Sequence, residues 1–278
     1  MSRAIASARS RFKLFRSVRT AGVAGVLALA CAGVGGCSSY ATPGGAADLA
    51  VMGVQPDLAA AIASQTDVTM QEKFDRKPLA RFPAAIAIAR VQAPGYESHT
   101  AGSYGRGAYS VVTTRDVEKP EHLAKLAKLE LISEVGPISR VLLPSQLKSD
   151  QELREAAAAM RADMLLIYTL DTNYYVRDMA KPLSVVTLGL SPNQQARVTT
   201  TASAVLMDTR NGYIYGLAEA SESHNRLASA WTNDDAIDAA RLKTEAAAFD
   251  KLVVELEKTW AGVVARYAKP GAGQNVGG

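Results

Sequence analysis

The chain has 278 residues, of which 48% are hydrophobic, 21% charged and 6% aromatic. Its formal charge is +4, but six basic residues lie within the first 19 positions, where no acidic residue occurs. Without that segment 25 basic residues face 27 acidic ones, so the overall charge offers no basic surface for nucleic acid, and we expect no nucleic-acid partner.

An apolar run, Ala21 to Ala30, follows the basic N-terminal segment directly. A basic stretch followed by a short apolar stretch is the pattern of a secretory signal. The run is shorter than the roughly 20 apolar residues that a membrane-spanning helix needs. Residues 1–36 are therefore predicted to be a signal peptide and not a permanent transmembrane anchor.

The apolar run leads into Val34-Gly35-Gly36-Cys37, which resembles the lipobox of bacterial lipoproteins. We predict that Cys37 carries a diacylglycerol thioether and a further acyl chain such as palmitate, with no other cofactor. Cys31 is the alternative, although Ala28 is a weaker match three residues before it. An ordinary signal peptide with incidental cysteines is the second alternative.

The residue after the predicted lipidated cysteine is Ser38. In the lipoprotein systems that this lipobox resembles, an aspartate there holds the protein at the inner membrane. We therefore expect a lipid-anchored protein at the periplasmic face of the outer membrane, with the inner membrane as the alternative.

The rest of the chain divides into three predicted regions. Residues 37–80 begin with small and turn-forming residues and are predicted to form a flexible tether, with a short helix at about 57–65. Residues 81–267 are predicted to form a single α/β domain without cysteines, and residues 268–278 a disordered tail.

Hydrophobic periodicity in the first half of the domain predicts the order β-α-β-α-β. Ser149 and Glu152 have the spacing of a capping box at the start of the second helix. The predicted elements are a strand Ala84 to Gln92, a weaker strand Tyr109 to Thr114, a helix Glu121 to Val135 ended by Gly136-Pro137, a strand Ile138 to Leu143, a helix Ser149 to Ala162 and a strand Met164 to Leu170.

The second half is strand-like without intervening helices, over 183–190, 197–208 and 213–222. Asn211-Gly212 favours a type I′ turn, which needs positive φ at both positions. From Asp234 to Tyr267, apolar residues recur at threes and fours and predict one long helix. The fold class is therefore α/β (α+β), with a mixed sheet, an antiparallel hairpin in the second half and the C-terminal helix packed on the sheet.

Catalytic and metal-binding patterns are weak in this sequence. Ser145 and Lys148 have the S-x-x-K spacing of a serine nucleophile and its base, but the accompanying motifs are missing. Aspartates follow two strands at Asp171 and Asp208, where turn capping is the commoner role. The three histidines lack metal-ligand spacing and are expected to be solvated; they are His99, His122 and His224. We predict no catalytic residue and no metal site.

Four residues are candidates for contact with a partner. Tyr104, Arg106 and Tyr109 lie in or beside a glycine-rich loop and belong to the residue types that interfaces favour. Trp231 precedes the predicted start of the long helix. It is expected either to fix that helix onto the core or to serve as an exposed anchor.

The helix that leads to Ala162-Asp163 before a central strand, and Asp208-Thr-Arg-Asn-Gly212 after a later one, resemble a known group. This is the periplasmic α/β domain shared by the curli-secretion lipoprotein CsgG, the penicillin-binding-protein activator LpoB and the N-terminal domain of TolB. A more distant likeness is to the rhombotarget lipoproteins. The resemblance implies an accessory or assembly lipoprotein and carries over no site residue.

Two functions are consistent with this sequence. The first is a non-enzymatic, membrane-anchored module that binds an envelope protein, with homo-oligomerisation as an additional option. The second is an envelope hydrolase with an unrecognised site, for which Ser145 and Lys148 are the main support. A deep pocket with converging polar groups would favour the hydrolase, and an exposed apolar patch would favour the binding module.

Overall fold

The computed structural model describes residues 45–49, 67–98, 100–178, 194–228 and 233–268, all within one compact unit, Thr42–Gly278. The helices are α1 (Asp67–Asp75), α2 (Pro120–Leu126), α3 (Asp150–Ala159) and α4 (Asn233–Tyr267). The strands are β1 (Ala84–Gln92), β2 (Ser103–Tyr104), β3 (Arg106–Gly107), β4 (Ser110–Val112), β5 (Ile132–Pro137), β6 (Gln146–Leu147), β7 (Met164–Asp178), β8 (Gln194–Asp208) and β9 (Ile214–Ala228).

The main sheet has the strand order β2-β4-β1-β7-β8-β9, with β5 alongside β1. Strand β1 is parallel to β5 and β7, whereas β4 is antiparallel to β1 and β8 is antiparallel to both β7 and β9. This is the mixed sheet that the sequence predicts, because helical crossovers join parallel strands and the second half folds back on itself.

Alternate side chains of β1 face opposite sides of the sheet. Ile86 and Ile88 belong to the core that α4 covers, and Ala87 and Val91 belong to the core that α3 covers. The apolar face of α4 is buried as predicted, with exposed fractions of 1–7% for Phe249, Val253, Leu256 and Trp260.

The predicted helix Glu121 to Val135 is wrong in its second half. Helix α2 ends at Leu126, and Leu131 has a left-handed φ of 59° that turns the chain into β5. The backbone N–H of Ala84 then donates to the carbonyl of Leu131 (2.8 Å), so the segment continues as a strand beside β1. Pairing with β1 therefore determines the structure of this segment, although its apolar residues have the spacing of a helix.

The predicted strand Ile138 to Leu143 is also wrong. Residues Arg140–Leu142 form a 3₁₀ helix, and the strand lies earlier, in β5. The side chain of Ser139 accepts a hydrogen bond from the Val141 N–H (3.4 Å), which favours a tight turn over an extended backbone.

The β8–β9 hairpin is antiparallel as predicted, but its turn is not type I′. Gly212 has a φ of 70°, whereas Asn211 lies outside the left-handed region. Asp208 accounts for the difference, because its carboxylate accepts the Arg210 N–H (2.9 Å) and its carbonyl accepts the Gly212 N–H (2.9 Å). These hydrogen bonds stabilise a turn that is longer than the two-residue loop of a type I′ hairpin.

Two parts of the predicted tether contact the domain. Ala46 forms a β-bridge with Gln92, and the Leu79 N–H donates to the carboxylate of Asp208 (2.8 Å). The predicted helix at 57–65, the predicted strand at 183–190 and the predicted tail after Ala268 lie outside the described residues. No helix in the described ranges is long and apolar enough to cross a membrane.

Candidate functional site

Two of the predicted contact residues lie at one edge of the domain. Tyr104 is half-buried in β2, which pairs with β4, and Arg106 is exposed in β3, which pairs with β6. The guanidinium of Arg140 lies 5.7 Å from the centre of the Tyr104 ring, a cation–π contact.

The 3₁₀ helix places two aliphatic side chains next to this contact. Val141 is 86% exposed and Leu142 is 39% exposed, whereas Leu143 turns inward and is buried. We group these residues as the Tyr104–Leu142 patch, defined as Tyr104, Arg106, Arg140, Val141 and Leu142.

The glycines beside the patch have a steric role. Gly107 has a φ of 122°, and a Cβ atom built there would lie 2.3 Å from the carbonyl oxygen of Leu147. Only glycine allows β3 to approach β6 this closely. The glycine-rich segment is therefore held by strand pairing.

The other two predicted contact residues do not join the patch. Tyr109 is 1% exposed, and its hydroxyl donates to the carbonyl of Ser149 (2.8 Å). Burial raises the pKa of this hydroxyl. The expectation that Tyr109 contacts a partner is thus corrected to a structural role, and Trp231 lies outside the described residues.

Sequence reasoning missed a buried cluster of charges between β1 and α4. Arg90 and Arg241 are essentially without exposure. Arg90 donates to Asp116 (3.0 Å) and Glu118 (3.4 Å) on the segment between β4 and α2, and Arg241 pairs with Glu245 one turn along α4 (2.9 Å).

The two halves of this cluster are joined at Glu245, which lies 3.8 Å from the Arg90 guanidinium. Burial raises the pKa of Glu245, and the two arginines oppose that effect. For Arg90, burial is the largest influence and by itself would lower the pKa, but the surrounding groups, Glu118 first and then Tyr96 and Glu245, together outweigh it and the pKa is raised. Each charge is opposed by a charge of opposite sign, so the cluster is a structural connection between β1 and α4.

Ser145 and Lys148 do not form the arrangement that a serine hydrolase needs. Both residues are exposed, and among the described residues no hydrogen bond joins their side chains. The carbonyl of Ser145 instead accepts the Arg106 N–H (2.9 Å), as part of the β3–β6 pairing.

The expectation of solvated histidines is wrong for His122. Its exposed fraction is 9%, its Nε2 atom lies 2.6 Å from the Asp250 carboxylate, and its ring packs edge-on against Phe249. His224 is half-buried in β9, and His99 lies outside the described residues. In the ranges that the structure describes, no group of three potential ligands could hold a metal ion.

The two strand-end aspartates have turn and surface roles. Asp208 is fully buried, and one carboxylate oxygen accepts both the Leu79 N–H and the Tyr215 hydroxyl (2.8 Å each). Asp171 accepts from the side chain of Asn173 (3.3 Å) on the surface of β7. The two carboxylates lie on different parts of the sheet, since Asp208 pairs with Met164.

A small pocket of about 30 Å³ lies between α2, α4 and the sheet. Its lining is apolar except for Thr259, and includes Ile88, Leu126, Leu166, Leu256 and Trp260. A pocket without converging polar groups does not have the features of a catalytic site.

No protein-family model matches this chain, and no curated protein matches it. Among solved structures, the lipoprotein GNA1162 from Neisseria meningitidis is 13% identical, with 65% of this chain and 99% of that chain covered and a TM-score of 0.28. The PelC dodecamer from Paraburkholderia phytofirmans is 14% identical, with coverages of 63% and 91% and a TM-score of 0.25.

A hypothetical protein from Chlamydia trachomatis is 10% identical, with coverages of 66% and 99% and a TM-score of 0.31. These likenesses are distant, so we infer the function of this chain from its own residues.

Proposed function

We propose that this protein is a lipoprotein anchored through Cys37 at the periplasmic face of the outer membrane. Its domain acts by binding another protein of the envelope and not by catalysis. The anchor is inferred from the signal and lipobox pattern that ends at Cys37. The observation that supports binding is the Tyr104–Leu142 patch.

The patch combines exposed apolar area with an ordered cationic side chain. Most of the surface of Val141 is exposed to water. Its burial against a partner contributes roughly 25 cal/mol of binding free energy per Å² of apolar surface. Arg140 already stacks on Tyr104, so less side-chain freedom is lost when a partner binds. Arginine and tyrosine are also frequent among the residues that dominate binding energy.

The test is site-specific photo-crosslinking at Val141 in intact cells, followed by identification of the attached protein. Val141→Asp places a charge in the patch and should weaken the purified complex by about 30-fold or more, the loss expected at a dominant contact. Val254→Asp on α4, where the side chain is 42% exposed, is the matched control and should leave affinity unchanged.

The anchor and the hydrolase alternative are tested in the same cells. Cys37→Ser should release the protein from membranes or leave it unprocessed, whereas Cys31→Ser should do neither. Ser145→Ala should leave function intact. If Ser145→Ala abolished function in a folded and correctly located protein, the hydrolase would replace the binding module. If Val141→Asp and Val254→Asp behaved alike, the patch would not be the binding surface.

A further inference from the structure

The sequence contains a single Asn-Gly pair, Asn211-Gly212, and it lies in the turn between β8 and β9. An asparagine followed by glycine is prone to deamidation, because no Cβ atom hinders the approach of the next backbone nitrogen to the side-chain amide. In the folded domain Asn211 is half-buried and Gly212 is buried. The contacts of these two residues therefore determine how fast the reaction proceeds.

The groups that would take part in this reaction are hydrogen-bonded. The nucleophile is the backbone nitrogen of Gly212, whose N–H donates to the carbonyl of Asp208 (2.9 Å). The leaving group is the Nδ2 amine of Asn211, which donates to the carbonyl of Lys77 (2.7 Å). The Oδ1 atom of the same side chain accepts the Tyr213 N–H (2.9 Å). The side chain can rotate towards the Gly212 nitrogen only after these hydrogen bonds open.

The carbonyl that accepts from the asparagine belongs to a surface segment that we call the strap, defined as residues 77–80. It lies between α1 and β1 and has no regular secondary structure. Two of its backbone N–H groups are bound near the same turn. The Leu79 N–H donates to the carboxylate of Asp208 (2.8 Å), and the Ala80 N–H donates to the hydroxyl of Tyr215 (2.9 Å). These contacts, together with that of the asparagine, hold the strap against the turn.

Deamidation would remove one of the contacts that hold the strap. Hydrolysis replaces the Nδ2 donor by a carboxylate oxygen, which only accepts hydrogen bonds. Two acceptors would then face each other where the Nδ2 atom now lies 2.7 Å from the Lys77 carbonyl oxygen. The guanidinium of Arg76 lies close enough to Gly212 to offset the new charge, but the donor to the Lys77 carbonyl is lost in either case.

We propose that Asn211-Gly212 is a deamidation site that the strap protects, and that deamidation in turn releases the strap. The Gly212 nitrogen, after losing its proton, forms a bond to Cγ of Asn211. The Cγ–Nδ2 bond breaks, and Nδ2 takes up that proton and leaves as ammonia. Water then opens the resulting succinimide ring at either carbonyl and gives aspartate or isoaspartate.

The coupling between strap and modification is reciprocal, because whatever holds the strap in place also keeps the amide unreactive. Isoaspartate has a further effect, since it carries the main chain through the former side chain and lengthens the turn. The step is irreversible once ammonia has left. This proposal rests neither on the lipidation of Cys37 nor on the Tyr104–Leu142 patch.

The first test follows deamidation of the purified full-length protein at mildly alkaline pH by peptide mass spectrometry. Asn211 should react about tenfold or more slowly than in a peptide of residues 206–216, which corresponds to an opening free energy of about 1.4 kcal/mol or more. Asn173 and Asn225 precede bulky residues, so they are internal controls and should stay unchanged. Equal rates for Asn211 in the protein and in the peptide would overturn the proposal.

A second test loosens the strap. Tyr215→Phe removes the hydroxyl that accepts the Ala80 N–H and donates to Asp208, and deamidation of Asn211 should become several-fold faster. Tyr168→Phe is the matched control, because it removes a buried hydroxyl that is bound elsewhere, to Glu118. Equal acceleration in both variants would mean that only global unfolding exposes the site, and that the strap has no protective role.

A third test measures release of the strap by hydrogen exchange. Asn211→Asp reproduces one product, and the amides of Leu79 and Ala80 should then exchange about tenfold faster or more. The Ile138 amide, which is bound to β1, should not change. Asn225→Asp adds the same charge elsewhere on β9 and should leave exchange at all three amides unaltered.

Unaltered exchange at Leu79 and Ala80 in Asn211→Asp would contradict the release of the strap. The aged wild-type protein gives the same comparison without a substitution, because both products accumulate in it. Faster exchange at Leu79 and Ala80 in the aged protein, in proportion to its deamidated fraction, is the expected result.

Discussion

Burying the charge of an arginine costs free energy, and the contacts of Arg90 show which interactions offset that cost. Its guanidinium contacts Asp116 and Glu118 and approaches the hydroxyl of Tyr96 at 3.3 Å. Its Nε atom and one oxygen of Glu118 have no hydrogen-bond partner within the part of the chain that the structure describes. The cluster is therefore stabilised by charge pairing more than by complete hydrogen bonding.

Arg90→Met is expected to destabilise the domain strongly. It removes a cation and leaves Asp116 and Glu118 in a buried site with less compensation, which lowers the free energy of unfolding by about 3–5 kcal/mol. Urea unfolding of the soluble domain measures the change. Arg106→Met on the surface is the control and should stay within about 0.5 kcal/mol. Equal stabilities would mean that the cluster is dispensable for folding.

The sequence predicts the direction of the Arg90 side chain but not its partners. Arg90 follows Ile86 and Ile88 at alternate positions of a buried strand, which places its side chain on the face that α4 covers. Its partners could not be predicted, because they come from an irregular segment and a distant helix. The prediction that Tyr109 contacts a partner was wrong for a related reason. A tyrosine beside a glycine-rich loop has the same local sequence pattern whether its side chain points into the core or towards solvent.

Short-range sequence patterns predicted an element correctly where residues of that element itself determine where it begins and ends. The capping box of α3 is confirmed: Ser149 Oγ accepts the Gln151 N–H (3.2 Å), and Glu152 accepts the Ser149 N–H (3.0 Å). Helix α4 and the antiparallel pairing of β8 with β9 are confirmed as well, although the turn that joins these strands is not the predicted type I′. The α2–β5 region was predicted wrongly because β1, far away in sequence, supplies the pairing edge that makes it a strand.

Ser149→Ala should destabilise α3 by about 1 kcal/mol, because the first amides of the helix lose their side-chain acceptor. Thermal or urea unfolding monitored by circular dichroism gives the value. Ser133→Ala, on an exposed position of β5, is the matched control and should have little effect. A loss no larger than that of Ser133→Ala would show that the cap contributes nothing to stability.

For the whole molecule, composition and periodicity predicted the mixed α/β architecture, which the sheet order confirms. They could not predict that Gly45 to Leu49 docks beside β1, since small residues such as Ala46 and Ala47 have the composition of a linker. Docking depends on the side chains of Gln92 and Thr169, which are distant in sequence. The resemblance to the curli-secretion group stays a prediction.

The stability of the folded domain should fall at alkaline pH because of its buried tyrosines. Burial raises the pKa of Tyr96, Tyr109, Tyr168 and Tyr215, and the carboxylate of Glu118 adds to the effect at Tyr168. In the unfolded chain these hydroxyls titrate near the ordinary value of about 10. A raised folded-state pKa means that the folded domain holds these protons more tightly than the unfolded chain does.

The tyrosine contribution is therefore fully present below about pH 10 and is lost as the pH rises through the folded-state pKa values. The midpoint of urea unfolding should be steady up to that pH and then decrease, while tyrosinate absorbance of the folded protein lags behind that of the urea-unfolded protein. Tyr168→Phe should make the decrease less steep, because one of the linked protons is gone. Tyrosinate absorbance that rises identically in the folded and unfolded protein would contradict the assignment, because these hydroxyls would then be open to water.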